Sequence, residues 1–188
     1  MRICVYSGSN FGNHSEYAKA AKLLGQALAK ADITLVYGGT RSGLMGVLAD
    51  AALAEGGKVI GVITDFLEAK GLAHYKLDEI HRVESMHQRK ALMAELSDGF
   101  IAMPGGIGTL EEILEIWTWA QLYLHEKPCA LLNVKGYYDH LLAFLEHTVQ
   151  EHFMRPEHKN MLLVSPDPHK LLAAMENYQA PFVEKWIH

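Results

Sequence analysis

The stretch GFIAMPGGIGTLEE, residues 99–112, combines an apolar run, a glycine-rich turn and the start of a helical pattern. Residues 99–103 show no polar alternation, which is typical of a strand buried on both faces. The turn begins at Pro104, and apolar residues at helical spacing continue over residues 110–125. The stretch therefore predicts a strand, a tight turn and a long helix, which is the repeating unit of a parallel α/β sheet.

The same unit recurs along the chain. Apolar runs predict further strands at residues 3–6, 34–37, 58–63, 81–84, 129–134 and 162–164. Helical patterns predict further helices at residues 16–30, 44–55, 86–96, 138–153 and 168–178. Residues 64–80 have no clear period and are predicted to be irregular. We expect residues 1–188 to form a single Rossmann-like domain, an α/β fold with a doubly wound, mainly parallel sheet and helices on both faces.

The composition argues against some classes of function. The 188 residues are 49% hydrophobic and 21% charged, as is usual for a soluble globular protein. A net charge of -5 argues against binding to a nucleic acid polymer. The first apolar run is too short for a signal peptide and no run suits a membrane span, so we expect a cytoplasmic protein without a membrane partner.

Cysteine and histidine usage gives no sign of a metal centre. Cys4 and Cys129 each lie inside a predicted buried strand, so we expect two free thiols. The eleven histidines do not form an HExxH motif or a Cys/His ligand spacing. We predict no bound metal and no cofactor.

Ligands of doubly wound sheets bind at the carboxyl ends of the strands, near the reversal in strand order. This rule selects three loops rich in glycine or serine, at residues 7–10, 38–46 and 104–109. Glycines allow close approach of an anion, and the free N–H groups at a helix start point towards it, so a phosphate is the expected ligand. The residues predicted to bind the substrate in these loops are Ser9, Gly38, Gly39, Gly43, Met45 and Gly105.

Helix capping offers another interpretation of the charged residues. Thr109 and Glu112 fit a capping box in which Thr109 is the N-cap, and Ser85 and Gln88 fit one ahead of the helix at residues 86–96. Glu112 would then only stabilise its helix. Cations at residues 89–90 oppose the helix dipole and need either solvent or an anion.

Two motifs together resemble a known family. MHQRK at residues 86–90 and PGGIGTLEE at residues 104–112 resemble the MxxRK and PGGxGTxxE motifs of the Lonely Guy (LOG) family. The similarity continues through YGG at residues 37–39, GLMG at residues 43–46, TWAQ at residues 118–121 and LNVKGYY at residues 132–138. It therefore covers most of the chain.

The resemblance implies a phosphoribohydrolase. Members of this family cleave cytokinin riboside 5′-monophosphates, and some cleave AMP, to the free base and ribose 5-phosphate. By resemblance, Arg89 and Glu112 form the catalytic pair. The residues that the resemblance places against the nucleotide are Lys90, Gly106, Gly108, Thr109 and Thr118.

One departure and two alternatives accompany the resemblance. Relatives often carry a glutamate shortly before an Ala-His pair, where this chain has Gly71 in KGLAH, so base preference is expected to differ if that carboxylate holds the base. The same scaffold could carry a nucleotide or molybdenum cofactor without hydrolysis, although retention of Arg89 and Glu112 favours an enzyme. Some relatives are labelled lysine decarboxylases, but no residue here marks a Schiff-base lysine.

The helix predicted at residues 110–125 is apolar nearly all round, so it needs cover on every side. The parent sheet covers only one face. A second copy of the chain is the simplest cover for the other, which predicts a homodimer. The alternative cover is the helix predicted at residues 138–153.

Overall fold

In the part of the chain that the structure describes, seven strands form one sheet, and every neighbouring pair in it is parallel. The computed structural model describes residues 1–181 and residue 183. The strands are β1 (Arg2–Tyr6), β2 (Thr34–Tyr37), β3 (Val59–Thr64), β4 (Glu79–Val83), β5 (Gly99–Ala102), β6 (Cys129–Leu132) and β7 (Leu162–Ser165). Their order across the sheet is β4-β3-β2-β1-β5-β6-β7.

Helices cover both faces of this sheet, which confirms the predicted doubly wound α/β fold. They are α1 (Ser15–Lys30), α2 (Gly43–Ala54), α3 (Asp65–Ala69), α4 (Met86–Glu95), α5 (Ile107–Gln121), α6 (Asp139–Gln150), α7 (Pro156–Asn160) and α8 (Pro168–Glu176). One apolar core lies beneath α1, α2 and α8, and a second lies beneath α4, α5 and α6. No helix in the described residues is long and apolar enough to cross a membrane.

The strand order reverses at the centre of the sheet. The chain begins with β1, proceeds outwards to β4, returns to β5 beside β1 and then proceeds to β7. The loops after β1 and β5 touch, because the Gly8 N–H donates to the Pro104 carbonyl at 3.1 Å. The crevice expected for a ligand therefore opens above these two strands.

The structure departs from the sequence prediction mainly in short elements. The segment at residues 64–80 is not wholly irregular, since α3 follows β3 directly and β4 begins at Glu79. The Thr64 hydroxyl caps α3 by accepting from the Leu67 N–H at 3.4 Å. The helix α7 was not predicted, because five residues are too few to show an apolar period.

Candidate active site

A cavity of about 450 Å³ lies at the carboxyl ends of β1, β2 and β5. All three predicted loops contribute to its walls, together with α4 and the segment after β3. The residues that line it are Val5, Tyr6, Ser7, Gly8, Ser9, Gly38, Thr40, Ser42, Met45, Leu67, Leu72, Met86, Arg89, Met93, Gly106, Ile107, Gly108, Thr109 and Glu112.

Arg89 is held in this cavity by three protein acceptors. Its Nε donates to the Val62 carbonyl at 2.9 Å, and its Nη2 donates to the Gly38 carbonyl at 3.0 Å. Its Nη1 donates to Glu112 Oε1 at 3.3 Å. The guanidinium is almost completely buried, so these bonds fix both its position and its orientation. An arginine has five N–H groups, so two remain for a ligand.

Gly38 is required for this placement of Arg89. A Cβ atom at Gly38 would lie 1.8 Å from Arg89 Nη2 and 2.5 Å from Met45 Cε. Only a residue without a side chain leaves room for the guanidinium above β2. Gly38 therefore contributes to the site in two ways. Its missing side chain leaves space for the guanidinium, and its carbonyl oxygen accepts a hydrogen bond from Arg89.

Glu112 lies on α5, lines the same cavity and has a largely buried side chain that is 13% exposed. Burial raises the pKa of Glu112 to about 7, although the charge of Arg89 acts in the opposite direction. At neutral pH the group therefore exchanges between carboxylic acid and carboxylate. Such a group can hold a proton or stabilise a developing positive charge.

The capping interpretation of Glu112 is wrong. The helix α5 begins at Ile107 and not near residue 110, and its N-cap is Gly106, which has no side chain to cap it. Thr109 is therefore inside the first turn and Glu112 is in the second. The corresponding prediction for α4 is confirmed in part, because the Ser85 hydroxyl accepts from the Gln88 N–H at 3.2 Å.

The start of α5 forms one wall of the cavity. Gly106, Ile107, Gly108 and Thr109 all line it, and no side chain caps their end of the helix. A Cβ atom at Gly106 or Gly108 would meet no atom within 4 Å, so both glycines border open space. The N–H groups of a first helical turn carry partial positive charge, and this wall therefore suits an anionic group.

Some predicted site residues lie outside the cavity. Gly39 has a φ of 70° and accepts a bond from the His74 N–H. Gly43 packs against the first loop, where a Cβ would lie 2.3 Å from the Ser9 carbonyl carbon. Gly105 lines a smaller adjacent pocket of about 190 Å³.

Two of the three polar residues that the resemblance places against the nucleotide, Lys90 and Thr118, also lie outside the cavity, whereas Thr109 lines it. Lys90 projects from α4 towards Glu111 and Glu115. Thr118 is exposed on α5, and its hydroxyl donates to the Leu114 carbonyl at 2.7 Å. Gly71, at the position of the family departure, has a φ of 71° and does not line the cavity.

Sequence reasoning missed four apolar side chains that line the cavity. Leu67 follows β3 on α3, Leu72 lies in the following loop, and Met86 and Met93 project from α4. Met86 lies within a quoted motif, which could have drawn attention to it. Leu67 and Leu72 lie in the segment without a clear period, and only the fold brings them to the site.

We expect the shifted pKa of Glu112 to make stability depend on pH. The pKa of Glu112 is about 7 in the folded protein and 4.5 ordinarily, so the protonated group stabilises the fold. This stabilisation is complete below pH 4.5. It is lost as pH rises through the upper value. Relative to a Glu112→Gln variant, the wild type should lose on the order of 3 kcal/mol of unfolding free energy across this range. Urea unfolding of both proteins measures it, and a pH-independent difference would contradict the shifted pKa.

Comparison with known proteins identifies close relatives. Residues 45–175 match the model of a family described as "Possible lysine decarboxylase". A probable cytokinin riboside 5′-monophosphate phosphoribohydrolase of Oryza sativa subsp. japonica is 48% identical over 96% of this chain and 73% of its own length. The cytokinin riboside 5′-monophosphate phosphoribohydrolase of Rhodococcoides fascians is 47% identical over 93% of this chain and 89% of its own length.

Solved structures share the fold at lower identity. The molybdenum cofactor binding protein of Rippkaea orientalis superposes with a TM-score of 0.71 at 22% identity, over 93% of this chain and 94% of that one. The molybdenum cofactor carrier protein of Chlamydomonas reinhardtii gives 0.70 at 20% identity, over 93% and 95%. At this identity the likeness concerns the fold alone.

Proposed function

Since this chain belongs to the family described as possible lysine decarboxylase, the Lonely Guy family, we propose that it hydrolyses nucleoside 5′-monophosphates. The reaction releases a free base and ribose 5-phosphate. The proposed substrate class is cytokinin riboside 5′-monophosphate, AMP or both, and the names of the relatives give the first of these. The observation that carries the proposal is the largely buried Arg89–Glu112 pair, which lines the same cavity as the uncapped start of α5.

The phosphate is proposed to bind at the start of α5. Gly106, Gly108 and Thr109 line the cavity at the uncapped start of α5, and Ser9 lines the same cavity. A phosphate there gains the hydrogen bonds that the helix itself does not satisfy. This anchor places the ribose deeper in the cavity, beside Glu112.

Bond cleavage is proposed to depend on Glu112. As the bond between C1′ of the ribose and the base nitrogen breaks, positive charge develops on the sugar ring. The carboxylate of Glu112 attracts that charge more strongly in the transition state than in the ground state. Water adds its hydroxyl to C1′, and its proton ends on the departing base. Arg89 positions the carboxylate, and the reaction requires no cofactor.

The apolar side chains that α3, α4 and the loop after α3 contribute to the cavity are proposed to hold the base. Leu67, Leu72, Met86 and Met93 supply apolar surface for a planar ring. Methionine side chains adapt to the shape of a ligand and pack well against aromatic rings. An adenine-type base therefore fits this surface better than a charged group would.

Product analysis tests the proposal. We expect the purified protein to convert AMP or a cytokinin riboside 5′-monophosphate into equal amounts of free base and ribose 5-phosphate, measured by chromatography. Binding of the nucleotide without any product would instead describe a carrier. A free nucleoside and inorganic phosphate as the only products would identify a phosphatase.

The protein is further proposed to be a homodimer that uses α5. The first residue of this helix, Ile107, is 83% exposed, and Leu124, shortly after its end, is 67% exposed. Leu110, Leu114 and Trp119 are only partly buried against their own core. A second copy would cover this apolar surface, and because α5 starts at the cavity, the two sites would lie near the subunit boundary.

We expect light scattering to give twice the chain mass at micromolar concentration. Leu124→Asp should weaken the dimer by at least about tenfold, because it places a charge in the apolar interface. Leu23→Asp on α1 makes the same change at a residue that is 50% exposed, and it should leave the mass unchanged. A monomeric wild type would overturn the proposed dimer.

A further inference from the structure

The two neighbouring cations of α4 make contact with different faces of α5. Arg89 reaches Glu112 on the cavity side. Lys90 reaches Glu111 and Glu115, which lie four residues apart and therefore share a face of the helix. Its Nζ is 2.9 Å from Glu115 Oε2 and also bonds to Glu111 Oε1. The family resemblance implied a contact between Lys90 and the nucleotide, but the side chain does not line the cavity.

This lysine is well enclosed for a cation outside a binding site. Its side chain is only 12% exposed, whereas those of Glu111 and Glu115 are 52% and 33% exposed. Partial burial lowers the pKa of Lys90, but the hydrogen bonds to Glu111 and Glu115 outweigh this and raise it. Lys90 therefore stays charged and ties α4 to the second turn of α5, next to Glu112.

On this basis we infer that Lys90 is a positioning residue for the proposed hydrolysis. Its bonds to Glu111 and Glu115 hold α5 in the rotation that directs Glu112 at Arg89. Its charge also offsets two carboxylates that would otherwise oppose ionisation of Glu112. The effect of Lys90 on catalysis rests on the proposed function. Its effect on the charge of Glu112 rests on the contacts alone.

The electrostatic surroundings of Glu112 support this role. Glu111 and Glu115 raise the pKa of Glu112, whereas Lys90 and Arg89 lower it. The titratable and charged groups that interact electrostatically with Glu112 are Arg89 and Lys90 of α4, Glu111 and Glu115 of its own helix, and Cys4 and Tyr6 of β1. The two groups of β1 have pKa values raised by burial and stay neutral, so they do not replace Lys90.

The titration of Glu112 tests the inference without any substrate. Carbon-13 NMR of glutamate-labelled protein follows its carboxyl group, which is assigned by its loss in Glu112→Gln. Lys90→Met keeps the length of the side chain without its charge, and it should raise the titration midpoint by about one pH unit. Lys90→Arg should restore the wild-type midpoint. Lys159→Met removes a cation paired with Glu146 and should leave the midpoint unmoved.

Kinetics separate positioning from a substrate contact. In Lys90→Met, the pH at which kcat falls on the acidic side of its profile should rise together with the titration midpoint of Glu112. KM should change by less than about twofold. Adding Glu111→Gln and Glu115→Gln should return this pH towards the wild-type value. An unmoved Glu112 midpoint in Lys90→Met would overturn the inference, and a KM increase above about tenfold would assign Lys90 to the substrate instead.

The inference can still be tested if Lys90→Met does not fold or if the wild type shows no turnover. If Lys90→Met does not fold, the Glu111→Gln, Glu115→Gln double variant should lower the Glu112 midpoint, and an unmoved midpoint would overturn the inference. If the wild type shows no turnover, the proposed function fails, but the titration still decides whether Lys90 controls the charge of Glu112.

Discussion

Replacing Glu112 with glutamine is expected to lower kcat on the order of 10³-fold, with a much smaller change in KM. Glutamine preserves the shape of the side chain but cannot supply a negative charge to the sugar ring. Since Gly106 and not Thr109 caps α5, Glu112 has no capping role whose loss could account for the effect. Steady-state release of free base measures the change.

The control for this variant is a glutamate on a distant helix. Glu176→Gln on α8 makes the same chemical change at an exposed residue and should retain wild-type kcat. Circular dichroism should show that both variants are folded. A Glu112→Gln protein with wild-type kcat would remove this carboxylate from the proposed mechanism.

Loss of Arg89 is expected to have the second largest effect. Arg89→Ala leaves the carbonyls of Val62 and Gly38 and the carboxyl of Glu112 without their shared donor. We expect kcat to fall on the order of 10²-fold or more, and the unfolding free energy to fall by about 3–5 kcal/mol. Arg89→Lys should recover only part of the lost kcat and of the lost unfolding free energy, because one ammonium group cannot match three separated acceptors.

Gly38→Ala tests the same guanidinium without removing it. The added methyl group would lie 1.8 Å from Arg89 Nη2, so the guanidinium must leave the position in which it bonds to Gly38 and Glu112. We expect kcat to fall at least about tenfold while most stability remains, which separates catalytic placement from folding. Full activity of Gly38→Ala would show that the arrangement of Arg89 is not needed for turnover.

The fold was largely predictable because its signals are local. Apolar runs and helical spacing are properties of neighbouring residues, so the strand at residues 99–103 and the helix after it follow from the sequence. The common position of the loops at Ser9, Gly38 and Gly106 was also predictable, because parallel strands bring their carboxyl ends to one edge of the sheet. The start of α5 was misplaced because Thr109 resembles an N-cap, while the true cap is a glycine.

The candidate site was less predictable, because it depends on contacts between distant segments. The sequence shows Arg89 and Lys90 side by side, but the packing of α4 on α5 sends one into the cavity and the other to Glu111 and Glu115. Leu72 reaches the cavity from a loop with no periodic pattern. The elevated pKa of Glu112 likewise comes from burial, which no short motif reveals.

The most direct test of the proposed function compares a nucleotide with its matching nucleoside. If the start of α5 anchors a phosphate and Glu112 acts on the ribose, kcat/KM for AMP or a cytokinin riboside 5′-monophosphate should exceed that for the nucleoside by at least about 10²-fold. Release of free base from both substrates, followed by chromatography, gives the two values. Equal cleavage of the nucleoside, or no cleavage of either substrate, would contradict the proposed function.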